Sequence, residues 1–131
     1  MLRPPHAPAL QLLTLEELSP SGVPVTLLCC SGSLTGEEGN RLRDQLLVHM
    51  RHGPRHLLLD LDDVPAIDDV GVVVLVDVHR RARAAGCTFG LVAVSPNVLT
   101  RLRLTGLQRV LALHPNLEEA LTALDDRDRR P

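Results

Sequence analysis

The sequence has no lysine, no tryptophan and no tyrosine, and Phe89 is its single phenylalanine. All 14 cationic side chains are arginines. Without lysine the chain has no Schiff-base amine and no P-loop lysine. Without aromatic platforms, single-stranded bases have nothing to stack on. Positive charge is not in excess either. The formal net charge is −2, so the electrostatic footprint of a nucleic-acid binder is missing. The longest unbroken apolar run is Val72–Val76, far short of a bilayer span. Neither nucleic acid nor membrane is an expected partner. Met1 to Leu15 is broken by Pro4, Pro5 and Pro8 and has no apolar h-region, which predicts no secretory leader. Cysteines are few and odd in number: Cys29, Cys30 and Cys87. They lack the spacing of a disulfide framework. Adjacent residues on a strand point to opposite faces, so Cys29 and Cys30 do not form a working pair. A reducing, cytoplasmic setting is the expectation.

The chain has 131 residues, 44% apolar and 23% charged. That suits one globular domain, which buries roughly two-thirds of the surface its unfolded chain exposes. No cofactor or metal is needed to hold it together.

Strands are expected at Ala9–Leu15, Val25–Cys30, His56–Leu61, Cys87–Val94 and Val110–Leu113, from apolar runs bounded by turn residues. The first two form an antiparallel hairpin with a long loop. A first helix begins at Thr35, whose hydroxyl and Glu38 read as a capping box, and closes at His52-Gly53-Pro54. A third starts at Ser95-Pro96 and ends at Gly106. A fourth opens at Asn116 with Glu119 and carries Leu117, Ala120, Leu121 and Leu124 inward. The segment after Asp68 is ambiguous, since Val72 to Val76 favours a strand by propensity. An Asp68 or Asp69 N-cap, Arg80, Arg81 and Arg83 in the last turns and Gly86 beyond them favour a helix. Its length exceeds an ordinary strand. We read a second helix here. The alternation predicts an α/β fold with a mixed, mostly parallel sheet of about five strands, right-handed crossovers and about four helices.

LLLDLDDVPAIDDVGVVVL, HRRARAAGCTFGLVAVSP, LRLTGLQRVLALHP and NLEEAL follow one another between His56 and Leu124. This stretch resembles the STAS domain of sulphate transporters and anti-sigma factor antagonists. Gly32-Ser33-Leu34-Thr35 sits where that family has a turn before its first helix. The resemblance implies a single STAS-like domain, placed over residues 9–125; the proline-rich composition of 1–8 predicts a flexible N-terminus and the charges of 126–131 predict a flexible tail. The resemblance also implies a non-enzymatic regulator that binds an anti-sigma factor or a related serine/threonine kinase in a partner-switching circuit, with a homodimer as a further option. A small-ligand or nucleotide sensor on the same fold is the alternative. The implied contact surface comprises Asp68, Asp69, Val70, Gly71, Val72, Ser95 and Asn97.

In that family an Asp-Ser-Ser/Thr-Gly motif opens the second helix and carries a reversible phosphate. A phosphate there adds about −2 charge beside a helix N-terminus that attracts anions. This chain reads Asp68-Asp69-Val70-Gly71. Asp69 and Val70 stand at the two hydroxyl positions, so the phosphorylation site is degenerate. Either Asp69 imitates a phosphoserine, or Val70 leaves an apolar surface that binds constitutively.

Other groupings read as structural. Asp60, Asp62, Asp63, Asp68 and Asp69 suit loop solvation and capping better than a receiver site, which requires a lysine. His49, His52 and His56 read as surface histidines. Arg80, Arg81 and Arg83, extended by Arg101, Arg103 and Arg109, read as helix-end charges that complement the dipole or meet an acidic partner.

Overall fold

The computed structural model describes residues 9–53 and 56–128. The expected flexible segment 1–8 and the end of the expected tail, 129–131, lie outside the described residues, as does Pro54.

Five strands and four helices follow the expected order: β1 (Gln11–Leu18), β2 (Pro24–Ser31), α1 (Glu37–Arg51), β3 (His56–Asp63), α2 (Asp69–Ala84), β4 (Thr88–Val92), α3 (Pro96–Leu104), β5 (Ala112–His114) and α4 (Leu117–Asp128). The sheet order is β1-β2-β3-β4-β5. β1 is antiparallel to β2, and the other neighbours are parallel. β2, β3 and β4 read as near-continuous apolar runs because helices cover both of their faces.

Neighbouring strands joined in sequence order place α1, α2 and α3 on one face. There Leu28, Leu59, Leu61 and Leu91 pack against Leu42, Leu46, Leu75, Val78 and Leu102. The other face has a smaller core, in which Val25, Leu27, Leu58 and Val92 meet Ala120 and Leu124 of α4. Cys30 belongs to the first core and Cys29 packs against the second, as their alternation requires. Burial pushes the Cys30 thiol up to about 12, which keeps it an inert thiol.

Several expectations need correction. β1 runs on to Leu18, so the hairpin loop is short, and a Ser19–Val23 hydrogen bond closes it. The capping box at Thr35 does not form: α1 starts at Glu37 behind Gly36, which has φ +55° and no side-chain cap. Glu38 lies one position too early to reach back. Its carboxylate instead accepts from Leu10 N (2.9 Å) and Arg41 Nη1 (2.7 Å). Residues 107–109 form a 3-10 turn, which moves the last strand to Ala112–His114. His56 is buried, with Nδ1 2.8 Å from Thr88 Oγ1. The sequence from Asp125 continues α4 to Asp128. Asp125 is itself buried: its carboxylate accepts from Ser21 N (3.0 Å) and Ser21 Oγ (2.5 Å), pinning α4 to the β1–β2 turn.

The chain leaves β4 through Ala93, a non-glycine residue at φ +54°. Its N–H donates to His114 O (3.0 Å) and its methyl packs against the second core. A left-handed alanine costs about 1 kcal/mol. Ala93→Gly relieves that cost but loses the methyl contact and loosens the unfolded chain, so it is expected to be near neutral. Ala93→Val is expected to destabilise by about 2 kcal/mol despite its added apolar area, because a branched Cβ crowds a left-handed backbone. Urea unfolding of both variants checks this, and a stabilised valine variant would contradict the φ assignment.

Candidate functional site

β2 and β3 end side by side, and a register shift between Cys29 and Ser31 brings the two outgoing loops together. Gly32 N donates to Asp63 O (3.1 Å), Leu34 N to Ala66 O (2.9 Å) and Asp68 N to Leu34 O (3.3 Å). The C-terminal edge of the sheet thus presents the starts of α1, α2 and α3 together.

Asp68 organises this edge. It is the N-cap of α2: Oδ1 accepts from Gly71 N at 3.0 Å, and Oδ2 accepts from Gly36 N at 2.9 Å. One carboxylate therefore caps α2 and satisfies the N-cap amide of α1. Burial alone would raise its pKa, but the N–H groups of Gly71, Gly36 and Val70 outweigh it and hold the carboxyl below its ordinary value. Gly71 lets the start of α2 sit against the Leu34–Ile67 bridge. A Cβ there would lie 2.4 Å from Leu34 O and 2.5 Å from Ile67 Cγ1. Gly39 of α1 faces it, where a Cβ would meet Gly71 Cα at 3.5 Å.

α3 is fastened to the same edge. Ser95 is its N-cap residue but makes no side-chain cap; its buried hydroxyl donates to Val64 O. Asn97 Nδ2 donates to Pro65 O (3.2 Å).

The sequence-predicted residues therefore meet at one edge but divide by direction. Asp68, Gly71 and Ser95 are turned into the loop framework. Val72 is half-buried against the first core. Asp69, Val70 and Asn97 face outward. The exposed Asp69 carboxylate is ion-paired with Arg101 of α3. Val70 is 39% exposed, and Val73, three residues on, is 63% exposed. Beyond them a groove of about 480 Å3 runs along α2, lined by Val72, Val73, Val76, Arg80 and Leu107 among others. The Asp69–Arg101 pairing joins residues 32 apart, so no local spacing announces it. The outward place of Val73 was readable from its i,i+3 relation to Val70.

The carboxylates do not converge. Asp60 Oδ1 accepts from Asp62 N at the end of β3, while Asp68 serves the helix caps. Among the described residues, no group of three or more histidine, cysteine or acidic side chains is placed to hold a metal ion. His49 Nε2 lies 3.2 Å from Thr14 Oγ1 and is separated from the buried His56. Of the arginines at the end of α2, Arg81 pairs with Asp77 (3.1 Å). Among the described residues no helix is long and apolar enough to cross a membrane.

The STAS domain model matches residues 19–120. The TM1081 homolog of Thermotoga neapolitana, named as a candidate anti-sigma factor antagonist, is 30% identical over 78 residues, 60% of this chain and 69% of that protein. The crystal structure of an anti-sigma factor antagonist from Mycobacterium paratuberculosis superposes with a TM-score of 0.71 at 27% identity, over 86% of this chain and 93% of that one. A variant of RsbS from Moorella thermoacetica shares the fold alone, with a TM-score of 0.75 at 21% identity, over 92% and 99% of the two chains. With this sheet order, this helix arrangement and a family match across most of its length, the chain belongs to the STAS domain family and is anti-sigma factor antagonist-like.

Proposed function

We propose that this protein is a non-enzymatic, cytoplasmic antagonist that binds an anti-sigma factor or a related serine/threonine kinase, and that it is held permanently in the binding state. The observation that carries this reading is the balanced charge at the degenerate site. A phosphoserine brings about −2 charge and three acceptor oxygens. Asp69 brings one carboxylate, and Arg101 already neutralises it. The pair is exposed, so it contributes at most about 1 kcal/mol to stability; its effect is on the face the partner meets. Val70 and Val73 flank it with exposed apolar surface, the composition of an interface centre rather than of a repelling one. This favours the constitutive binder over the phosphate mimic.

The test is calorimetric titration against the anti-sigma factor kinase of the source organism, with and without ATP. The wild type is expected to bind equally in both conditions and to gain no phosphate on residues 68–71. Val73→Asp is expected to weaken binding about 30-fold, close to 2 kcal/mol, by burying an unpaired charge. Arg101→Ala, which leaves Asp69 unbalanced, is expected to weaken it a few-fold. Phosphate incorporated at these positions, or undiminished affinity in Val73→Asp, would overturn the proposal.

A further inference from the structure

A second concave site lies far from Asp69. Arg83 sits 14 residues further along α2, about 20 Å at the helical rise. There the end of α2, the β4–β5 edge and the end of α4 enclose a cavity of about 350 Å3, within the range of small-molecule sites. Of the described residues lining it, the four ionisable ones are all basic: His79 and Arg83 from α2, His114 from β5 and Arg127 from α4. In a chain of net charge −2, that is a local reversal of sign. The inner wall is apolar and includes the buried Phe89 and Leu58.

Gly90 opens the space beside Leu58 and His114. It sits in mid-strand, where glycine weakens a sheet and its presence signals a close approach. A Cβ here would lie 3.2 Å from Leu58 Cδ2 and 3.3 Å from His114 Nε2, so even a methyl would press on the imidazole and narrow the cavity. Neither the partner surface at Asp69 nor the packing of α4 requires two arginines and two histidines around this hollow.

We propose that this cavity binds a small organic anion, a phosphate or carboxylate head group on a compact apolar body. The head group lies among the two arginines and two histidines, and the body lies against Phe89. His114 also reports occupancy. Burial holds its pKa below the ordinary histidine value, opposed in part by the charge of Glu119. Arg83 and His79 from α2 and Arg127 from α4 line the same cavity. A bound anion stabilises the imidazolium and draws its titration upward.

The experiment uses the full chain, observed by NMR and titrated with phenyl phosphate, benzoate, inorganic phosphate and benzyl alcohol. Phenyl phosphate or benzoate is expected to give saturable shifts at the Thr88, Phe89 and Gly90 amides and to raise the His114 titration midpoint. The tighter of the two identifies the head group. Inorganic phosphate is expected to bind more weakly, and benzyl alcohol is expected to leave His114 unmoved. The double variant Arg83→Ser, Arg127→Ser changes exposed side chains and is expected to lose at least tenfold in affinity. The absence of saturable shifts with both aromatic anions, or unchanged affinity in the double variant, overturns the proposal. Neither arginine belongs to the Asp69 surface, so failure here leaves the partner reading intact.

Discussion

Gly71→Ala is expected to lower the unfolding free energy by about 3 kcal/mol and the thermal midpoint by about 10 °C. Intrinsic propensity predicts the opposite sign, since alanine in a helix is favoured over glycine by about 1 kcal/mol. The contact decides. The new methyl would stand 2.4 Å from Leu34 O, a backbone atom that cannot rotate away, and 2.5 Å from Ile67 Cγ1. To admit it, α2 must move off the Leu34–Ile67 bridge, which also strains the hydrogen bonds from Gly36 and Gly71 to Asp68. Overpacking of this kind costs about 1–3 kcal/mol, and each weakened hydrogen bond adds about 1. Gly86→Ala is the control. That glycine has φ +75° with no atom within 4 Å of a Cβ, so only backbone strain of about 1 kcal/mol is expected. Calorimetry of the two variants separates crowding from conformation; equal losses would refute the close approach at Gly71.

Asp68→Asn is expected to destabilise by about 2 kcal/mol and to flatten the acid limb of stability. The asparagine oxygen can still accept from Gly71, but its NH2 would then confront the Gly36 amide, leaving that N–H unpaired. The pH dependence follows from the direction of the pKa shift. The folded carboxyl titrates below its unfolded value, so its contribution is fully present above the unfolded pKa of about 4. That contribution is lost as pH falls through the folded pKa. Urea midpoints measured between pH 2 and pH 7 are expected to separate wild type from variant most at neutral pH and to converge in acid. Parallel curves would show that the carboxylate charge contributes nothing at this cap.

Local chemistry made α2 legible. The Asp68 cap and Gly86 bound it, and the valine run that resembles a strand is divided by the helix: Val74, Leu75 and Val78 face the core while Val73 faces solvent. The start of α1 was not legible in the same way. Its N-cap amide is satisfied by Asp68, which lies 32 residues downstream, and a local reading assigns the role to the nearest hydroxyl instead. The same limit hid the Asp69–Arg101 pair and the burial of Asp125. Each is a polar contact between distant segments, and polar residues carry no periodicity that would reveal which of them the fold turns inward. The site edge itself was legible through the order of its motifs. Which of its residues face outward required the packing of α3 against the loop at Val64 and Pro65.

The bond between Ser21 and Asp125 joins positions 104 residues apart. It therefore ties the last helix of the chain back to the first hairpin. α1, α2 and α3 can settle on their face of the sheet as each crossover is completed, but α4 follows every strand in the chain. Until it docks, Val25, Leu27, Leu58 and Val92 remain wet on the opposite side, beside the exposed Leu13 and Leu15 of the edge strand. A nascent or partly opened molecule thus exposes an apolar sheet surface next to an unpaired edge, the combination most prone to intermolecular pairing. The carboxylate latch on the hairpin turn holds that surface closed.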